Sequence, residues 1–218
     1  MTYPLITKET QFDAVILADG DFPHHIIPVS VLSRAAYVCC CDGAGVHLVE
    51  HGLMPDVIVG DGDSMSESFK KRFGHIIHIV SEQDYNDLTK ATRYCISKGF
   101  RRIAYLGTTG KREDHSIGNV SLMSYYVNEL GIDPTIVTDY GSFISAKGRN
   151  TFGSFEGQEV SVFNLNCSRL SGEGLKWKLR AFDSLWQGTL NEAMGNQFVV
   201  DGDGDYLVYL THEGKEKC

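Results

Sequence analysis

The sequence predicts an α/β protein in which a mostly parallel sheet is followed by antiparallel β structure. In roughly the first 140 residues, short apolar or β-branched runs alternate with stretches that can form helices, as in βαβ units. Beyond that point the helical periodicity fades and glycine becomes frequent. Short runs of alternating polarity follow one another there, which is typical of antiparallel strands joined by turns.

Six runs in the first part are predicted as strands, and their near-continuous apolar character is typical of strands that are covered on both faces. These runs are 13–18, 36–41, 56–59, 75–80, 101–106 and 134–138. Helices are predicted over 87–98 and 115–130. The change of pattern places a boundary near residue 141, so that we expect one domain over 1–140 and a second over 141–218.

The second part is predicted to contain strands over 158–163, 197–200 and 206–210. Between the last two lies DGDGDY, which resembles the start of a calcium-binding loop. That loop requires glycine at its sixth position and glutamate at its twelfth, where this chain has Tyr206 and His212. We therefore predict a hairpin turn at this point.

The composition favours a globular protein with no general affinity for nucleic acid. The chain has 218 residues, 42% of them hydrophobic, and a formal net charge of -8, whereas a general nucleic-acid binder has a basic surface. No apolar run approaches membrane-spanning length, and the first residues lack the pattern of a signal peptide. We expect a cytoplasmic protein with reduced thiols. The consecutive Cys39, Cys40 and Cys41 cannot clamp one metal ion, because neighbouring strand residues point to opposite faces.

Carboxylates follow two of the predicted strands. Asp42 comes directly after the second strand, and Asp61 and Asp63 follow the third. Ligands of open α/β sheets bind beyond the carboxyl ends of the strands, so we expect these side chains to share one cleft. Asp84 and Asp87 lie three residues apart at a predicted helix start and can join them. Such a cluster suits Mg²⁺, and a carboxylate that does not bind the ion can deprotonate a hydroxyl group. The alternative is that these aspartates only form turns and caps.

The segment after the fifth strand has the residues of a phosphate-binding loop. Glycines let the backbone approach a ligand, hydroxyl and cationic side chains follow, and a helix is predicted to begin just beyond. These residues are Gly107, Thr108, Thr109, Gly110, Lys111 and Arg112. The loop is not a Walker A motif, because Tyr105 stands where that pattern has its first glycine, and Arg112 stands where it has serine or threonine. A glycine turn with solvated charges is the alternative.

The order of these motifs resembles the thiamine pyrophosphokinase family over roughly residues 36–192. The family has an Asp-Gly turn, then PDxxxGDxDS, DxTDxxKA, GxxGGRxDHxxxN, GLKW and a Ser/Thr-x-Ser-Asn segment. The matching segments are CDGAG at 41–45, PDVIVGDGDS at 55–64, DYNDLTKA at 84–91, GTTGKREDHSIGN at 107–119, GLKW at 174–177 and GTLN at 188–191.

The resemblance implies a homodimer of chains that each have a Rossmann-like catalytic domain, with helices on both faces of a mostly parallel sheet, and a C-terminal antiparallel β-sandwich. It implies Mg²⁺-dependent attack of the thiamine hydroxyl on the β-phosphorus of ATP, with release of AMP. The implied metal ligands are Asp61, Asp63 and Asp87, with Asp42 in the same cleft as a further catalytic residue. The implied ATP contacts are Thr108, Thr109, Gly110, Lys111, Arg112, Asp114, His115 and Asn119. The implied thiamine contacts are Trp177, Thr189 and Asn191, supplied across the dimer interface.

This sequence departs from the family pattern at several positions. Val46 stands where the family often has asparagine, Asn86 replaces a threonine, and Lys111 replaces a glycine. Leu190 replaces the serine before the final asparagine, and Gly188 replaces a serine of some members. The carboxylates are retained, so the departures bear more on the thiamine contacts than on the reaction type.

Three other interpretations are compatible with parts of the sequence. HLVEH at 47–51 matches an inverted zinc-protease motif, but Val46, Val49 and Leu53 favour an ordinary surface helix. The Asp-x-Asp of GDGDS also suits a metal-dependent glycosyltransferase that uses a nucleotide sugar. A third hypothesis is a thiamine- or nucleotide-binding protein without catalysis. Core packing is the alternative to ligand stacking for Trp177 and for Trp186.

Overall fold

The computed structural model describes residues 1–215, so the last three residues of the predicted second domain lie outside the described part. The strands are β1 Thr2–Tyr3, β2 Ala14–Leu17, β3 Val38–Cys41, β4 Val57–Gly60, β5 Ile77–Ile79, β6 Arg102–Leu106, β7 Asp133–Val137, β8 Gly141–Gly153, β9 Gln158–Asn164, β10 Leu170–Glu173, β11 Asn191–Glu192 and β12 Gln197–Gly214. The α-helices are α1 Ile26–Ser33, α2 Gly43–Glu50, α3 Glu67–Phe73, α4 Asp87–Ser97 and α5 Glu113–Asn128. Two short 3₁₀ helices span Gly74–Ile76 and Leu185–Gly188.

The N-terminal part is a parallel sheet in the order β7-β6-β2-β3-β4-β5, with helices on both faces. Consecutive strand residues alternate between two cores, as the three cysteines of β3 illustrate. Cys39 and Cys41 pack with α4 and α5, whereas Cys40 packs with α1 and α2. The predicted mixed α/β fold and each of the six predicted strands are confirmed.

The C-terminal part is antiparallel and continues the same sheet through β8. This strand pairs with β7 on one side and with β12 on the other, and β9 and β11 follow beyond β12. A third core, centred on Phe152, Val162 and Phe198, fills this part. The described strands are therefore hydrogen-bonded into one continuous sheet of twelve strands, in which β7 and β8 join the parallel part to the antiparallel part.

The hairpin predicted at DGDGDY is wrong, because β12 runs through this segment without reversing. The strand contains an irregularity between Gly202, which pairs with Gly148, and Asp205, which pairs with Lys147. Asp203 lies in this bulge and accepts hydrogen bonds from the backbone N–H groups of Ser168 and the residue after it. Glycine and aspartate are common in bulges as well as in turns. The long pairing of β12 with β8 on both sides of the segment identifies it as a bulge.

The zinc-protease motif lies on α2 and its continuation. Within residues 1–215, no three His, Cys, Asp or Glu side chains are grouped so that they could hold a metal ion. The helix ends at Glu50, and His51 stacks on Phe22 with ring centroids 3.8 Å apart. The predicted surface helix is confirmed, but its packing stripe is not the one expected: Leu48 is buried and Leu53 is exposed.

None of the helices in the described part of the chain combines the length and the apolar character needed to cross a membrane.

Candidate active site

A cleft of about 370 Å³ opens at the carboxyl ends of β2, β3, β4 and β6. The chain order reverses between β2 and β6, which makes this the switch point where ligands of open α/β sheets bind. The sequence-predicted residues that line the cleft are Asp42, Asp87, Thr108, Gly110, Lys111, Arg112, His115 and Asn119.

The segment after β6 approaches the backbone of the β2 loop closely. Gly107 and Gly110 both have positive φ angles, 61° and 83°, which glycine adopts without strain. Gly20 donates a backbone hydrogen bond to the Gly107 carbonyl at 2.7 Å. A Cβ atom at Gly110 would overlap the carboxylate of the exposed Asp21, which would have to move aside to admit a side chain. The glycine pattern in the sequence thus reflects a tight loop beside the cleft.

Thr108 is the buried polar residue of this loop. Its side chain is almost fully buried and lines the cleft, yet its hydroxyl has no hydrogen-bond partner among the described residues. A buried polar atom without a partner is costly, so a ligand atom or a bound water is expected to satisfy it. Thr109 points elsewhere: it lines a separate pocket with Phe22 and Tyr140, and its carbonyl accepts a hydrogen bond from Asp21.

The two cations of the loop are held by carboxylates in the free protein. Lys111 Nζ lies 3.0 Å from Asp19 Oδ1, and Arg112 binds both oxygens of Asp114, with Nη2 to Oδ2 at 2.6 Å. All four side chains are substantially exposed, so these ion pairs are weak and phosphate oxygens can replace the carboxylates. Asp19 was missed by the sequence reasoning, although it follows β2 as Asp42 follows β3.

Helix α5 begins directly after this loop. Its first residue is Glu113, and the capping position is Arg112, whose side chain makes no hydrogen bond to the helix amides. Free amides at a helix start favour anions. Asn119, about two turns further along the helix, donates from Nδ2 to the Thr108 carbonyl at 2.8 Å and thereby fixes the loop to the helix. His115, which stands between Glu113 and Asn119 on this helix, also lines the cleft.

The carboxylate of Asp42 is buried and organises the loop after β4. It accepts hydrogen bonds from the backbone N–H groups of Gly62 at 3.0 Å and Ser64 at 3.1 Å. Asp61 accepts from the N–H of Asp63 at 3.1 Å, and this bond lowers the pKa of Asp61. The loop that contains two of the three predicted metal ligands, Asp61 and Asp63, is therefore ordered by aspartate–amide bonds.

Asp87 is the first residue of α4 and faces the same cleft. Burial raises the pKa of Asp87, and the nearby carboxylates of Asp42 and Asp61 add to this effect, whereas Lys90 opposes it. Lys90 Nζ lies 3.3 Å from Asp87 Oδ1, with only 3% of the lysine side chain exposed. Lys90 was also missed, although the i,i+3 spacing of aspartate and lysine on a predicted helix indicates this contact.

The three predicted metal ligands, taken alone, do not form a group that could hold an ion within the described residues. Asp87 interacts electrostatically with Asp61, while neither Asp61 nor Asp63 is among the described residues that line the cleft. Hard carboxylate oxygens suit Mg²⁺, which commonly uses one or two carboxylates and completes its shell with water and substrate phosphates. The residues present fit an ion that is bound together with a nucleotide.

The predicted thiamine contacts lie outside the cleft of the described chain. Trp177 is 52% exposed and Trp186 is 74% exposed, so core packing is wrong for both. Asn191 is buried, and its side-chain amide bonds to both the N–H and the carbonyl of Trp177, at 3.0 and 2.8 Å. Thr189 donates its hydroxyl to the Trp186 carbonyl at 2.7 Å. Asn191 thus fixes the backbone that presents Trp177.

Comparison with known protein families gives two matches. Residues 29–132 match the model of the thiamin pyrophosphokinase catalytic domain, and residues 141–209 match that of the thiamin pyrophosphokinase substrate-binding domain. A curated relative, thiamine pyrophosphokinase of Bacillus subtilis, is 33% identical over 86 residues. The matched stretch covers 38% of this chain and 40% of that relative.

Solved structures share the fold. Thiamine pyrophosphokinase from Bacillus subtilis has a TM-score of 0.74 at 19% identity, with 94% of this chain and 100% of that chain covered. Thiamin pyrophosphokinase from Candida albicans has a TM-score of 0.76 at 17% identity, with 97% and 92% covered. At these identities the likeness establishes the mixed α/β architecture.

Proposed function

The chain belongs to the thiamin pyrophosphokinase family, and from this we propose that it transfers the pyrophosphoryl group of ATP to the hydroxyl of thiamine, giving thiamine diphosphate and AMP. The observation that carries the proposal is the cleft at the β2/β6 switch point. The glycine loop with Lys111 and Arg112 lines this cleft together with Asp42 and Asp87. Cationic groups for a phosphate tail and carboxylate groups thus border one space.

The proposed reaction is an in-line displacement at the β-phosphorus. The thiamine oxygen forms a bond to this phosphorus while the bond from the β-phosphorus to the bridging oxygen of AMP breaks. An aspartate of the site accepts the hydroxyl proton. Such transfers depend chiefly on positioning and charge stabilisation, so no covalent enzyme intermediate is required.

The loop residues bind and orient the phosphates. The unpartnered Thr108 hydroxyl is placed to donate to a phosphate oxygen. Arg112 exchanges Asp114 for phosphate oxygens and keeps its two-pronged geometry, while Lys111 leaves Asp19. Asp114, His115 and Asn119 complete this side. Mg²⁺, when bound by Asp61, Asp63 and Asp87, supplies positive charge that neutralises the ATP oxygens.

The two parts of the chain bind different substrates. Residues 1–140 bind ATP and the metal ion in a Rossmann-like unit, and residues 141–218 bind thiamine and associate with a second chain as a β-sandwich unit. The exposed face of Trp177 stacks on the aminopyrimidine or attracts the thiazolium cation. Asn191 and Thr189 hold the adjoining backbone.

A homodimer is part of the proposal, because Trp177 lies outside the cleft of its own chain and a partner can bring it to a neighbouring cleft. Sedimentation velocity distinguishes a dimer from a monomer at assay concentration, and a strictly monomeric active protein would contradict this arrangement. The cytoplasmic location expected from the sequence stays a prediction.

The activity is tested by measuring AMP and thiamine diphosphate with and without Mg²⁺. We expect both products in equal amounts only when thiamine, ATP and Mg²⁺ are all present. We expect Asp63→Asn to lower turnover at least about 100-fold with the fold intact, because it removes a metal-binding charge. The control is Glu67→Gln on α3, which changes a nearby exposed carboxylate.

Two results would contradict the proposal. Near-normal turnover of Asp63→Asn would remove this residue from the metal site. Transfer of a sugar from a nucleotide sugar, or binding of thiamine and ATP without AMP formation, would favour one of the alternative functions.

A further inference from the structure

Asp42 has a more constrained environment than the other carboxylates of the cleft. Its residue is only 5% exposed, and each of its two carboxylate oxygens accepts a backbone N–H from the loop that follows β4. Its own N–H donates to the carbonyl of Val59 at 3.0 Å. Asp42 therefore joins the end of β3 to both the last part of β4 and the loop beyond it.

The surrounding backbone is shaped to admit this side chain. A Cβ atom at Gly60 would lie 2.7 Å from the Asp42 Cβ, so only glycine lets the two strands approach this closely. Asp42 itself has φ 32° and ψ −110°, a conformation that a non-glycine residue adopts at a cost. The two charge-assisted hydrogen bonds to amides are strong enough to hold a residue in such a conformation.

The contact of Asp42 with the two amides holds the segment that contains the predicted metal ligands Asp61 and Asp63. Gly62 and Ser64, whose amides bind Asp42, flank Asp63 on either side, and Asp61 precedes them. Asp63 itself is exposed and available to a ligand. Movement of either amide away from Asp42 would displace the carboxylates that the proposed reaction requires.

We propose that Asp42 is a positioning residue, which fixes the 60–64 loop through its two amide contacts and acts on the reaction through Asp61 and Asp63 rather than by touching the metal ion or the substrates. This inference rests on the proposed function for its effect on turnover. Its structural part, the link from Asp42 to the two amides, stands independently of that function.

The test compares Asp42→Asn with Asp56→Asn. Asp56 is a matched control, because its Oδ2 accepts the backbone N–H of Val38 at 2.7 Å and so joins the same two strands at their opposite ends. Both variants weaken aspartate–amide links, two in Asp42→Asn and one in Asp56→Asn, but only Asp42 holds the metal-binding loop. Hydrogen exchange of the Gly62 and Ser64 amides, Mg²⁺ affinity by calorimetry, and steady-state kinetics are measured on the full chain.

For Asp42→Asn we expect faster exchange at Gly62 and Ser64 and a fall in kcat of about 10- to 100-fold, since small displacements of reacting groups have effects of this size. The KM for thiamine should change by less than about twofold, because the thiamine contacts are untouched. Asp56→Asn should leave these two amides and kcat at wild-type values, even if both variants lower the melting temperature equally.

The inference is overturned if kcat falls in Asp42→Asn while the two amides exchange as in the wild type, since Asp42 would then act directly on the ion or substrate. It is equally overturned if the amides exchange faster and kcat is unchanged. If the wild type forms no thiamine diphosphate, the proposed function fails, and the exchange measurement still decides whether Asp42 anchors the loop.

Discussion

At the scale of single residues, the candidate site is a set of charges that already have partners. Arg112 and Lys111 are paired with Asp114 and Asp19, and Asp87 is paired with the buried Lys90. Exposed ion pairs contribute little to stability, whereas the same guanidinium group bound to phosphate in a confined cleft forms stronger charge-assisted hydrogen bonds. The free energy gained on nucleotide binding thus comes from exchanging weak partners for better ones.

Arg112→Ala should weaken the binding of a non-hydrolysable ATP analogue by about 10- to 100-fold, because hydrogen bonds to charged groups contribute about 1.5–3 kcal/mol. Thiamine affinity should be nearly unchanged. Calorimetry measures both affinities, with Arg149→Ala as a control, since Arg149 is an exposed ion-pair partner of Glu173 in the C-terminal part. Wild-type nucleotide affinity together with wild-type turnover would reject a phosphate role for Arg112.

At the scale of elements, α4 begins at the site because of its capping residue. Asn86 precedes the helix, and its Oδ1 accepts hydrogen bonds from the N–H of Thr89 at 3.0 Å and from its hydroxyl at 2.8 Å. The family pattern has threonine at this position, which is also a good N-cap. Asn86 therefore caps the helix that presents Asp87, as the threonine of the family pattern would.

Asn86→Ala should lower the free energy of unfolding by about 1 kcal/mol, because it removes the N-cap. Asn86→Thr should remain close to the wild type. Urea unfolding followed by circular dichroism measures both. Equal stability of the alanine and wild-type proteins would show that the cap does not determine where α4 begins.

Elements with local sequence signals could be predicted, whereas features that depend on contacts between distant residues could not. The α4 prediction, 87–98, agrees with Asp87–Ser97 because an Asn cap and an amphipathic pattern are local signals. The bulge in β12 was mistaken for a hairpin, because Gly and Asp suit both and only the pairing with β8 distinguishes them. The bonds from Asn191 to Trp177 were equally inaccessible, since they join residues fourteen positions apart.

At the scale of the whole molecule, His212 joins three separated parts of the chain. Its Nε2 lies 2.8 Å from the Thr138 carbonyl, and its ring stacks on His25, the N-cap of α1, with centroids 5.0 Å apart. Burial lowers the pKa of His212 from its ordinary value of 6.5, and His25 adds to this, whereas the Thr138 carbonyl, Asp139 and Glu213 oppose it. The folded protein thus binds this proton less readily than the unfolded chain.

The contribution of His212 to the free energy of unfolding should consequently be fully present above about pH 6.5. It should decrease as the pH falls below that value, because the unfolded chain then binds a proton that the folded protein binds less readily. His212→Gln should flatten the pH dependence of the free energy of unfolding in this range. Denaturation at a series of pH values measures it, with the exposed His75→Gln as control. An unchanged pH dependence in His212→Gln would contradict a lowered pKa of His212 in the folded protein.

The central claim is that residues distant in the chain surround one divalent cation and one triphosphate. The most direct measurement is a crystal structure of the protein with Mg²⁺ and a non-hydrolysable ATP analogue. We expect the phosphates between the Gly107–Arg112 loop and Asp87, with Arg112 on phosphate oxygens and Mg²⁺ bound by Asp61, Asp63 and Asp87. Phosphates bound on another surface, with this cleft containing only solvent, would contradict the account.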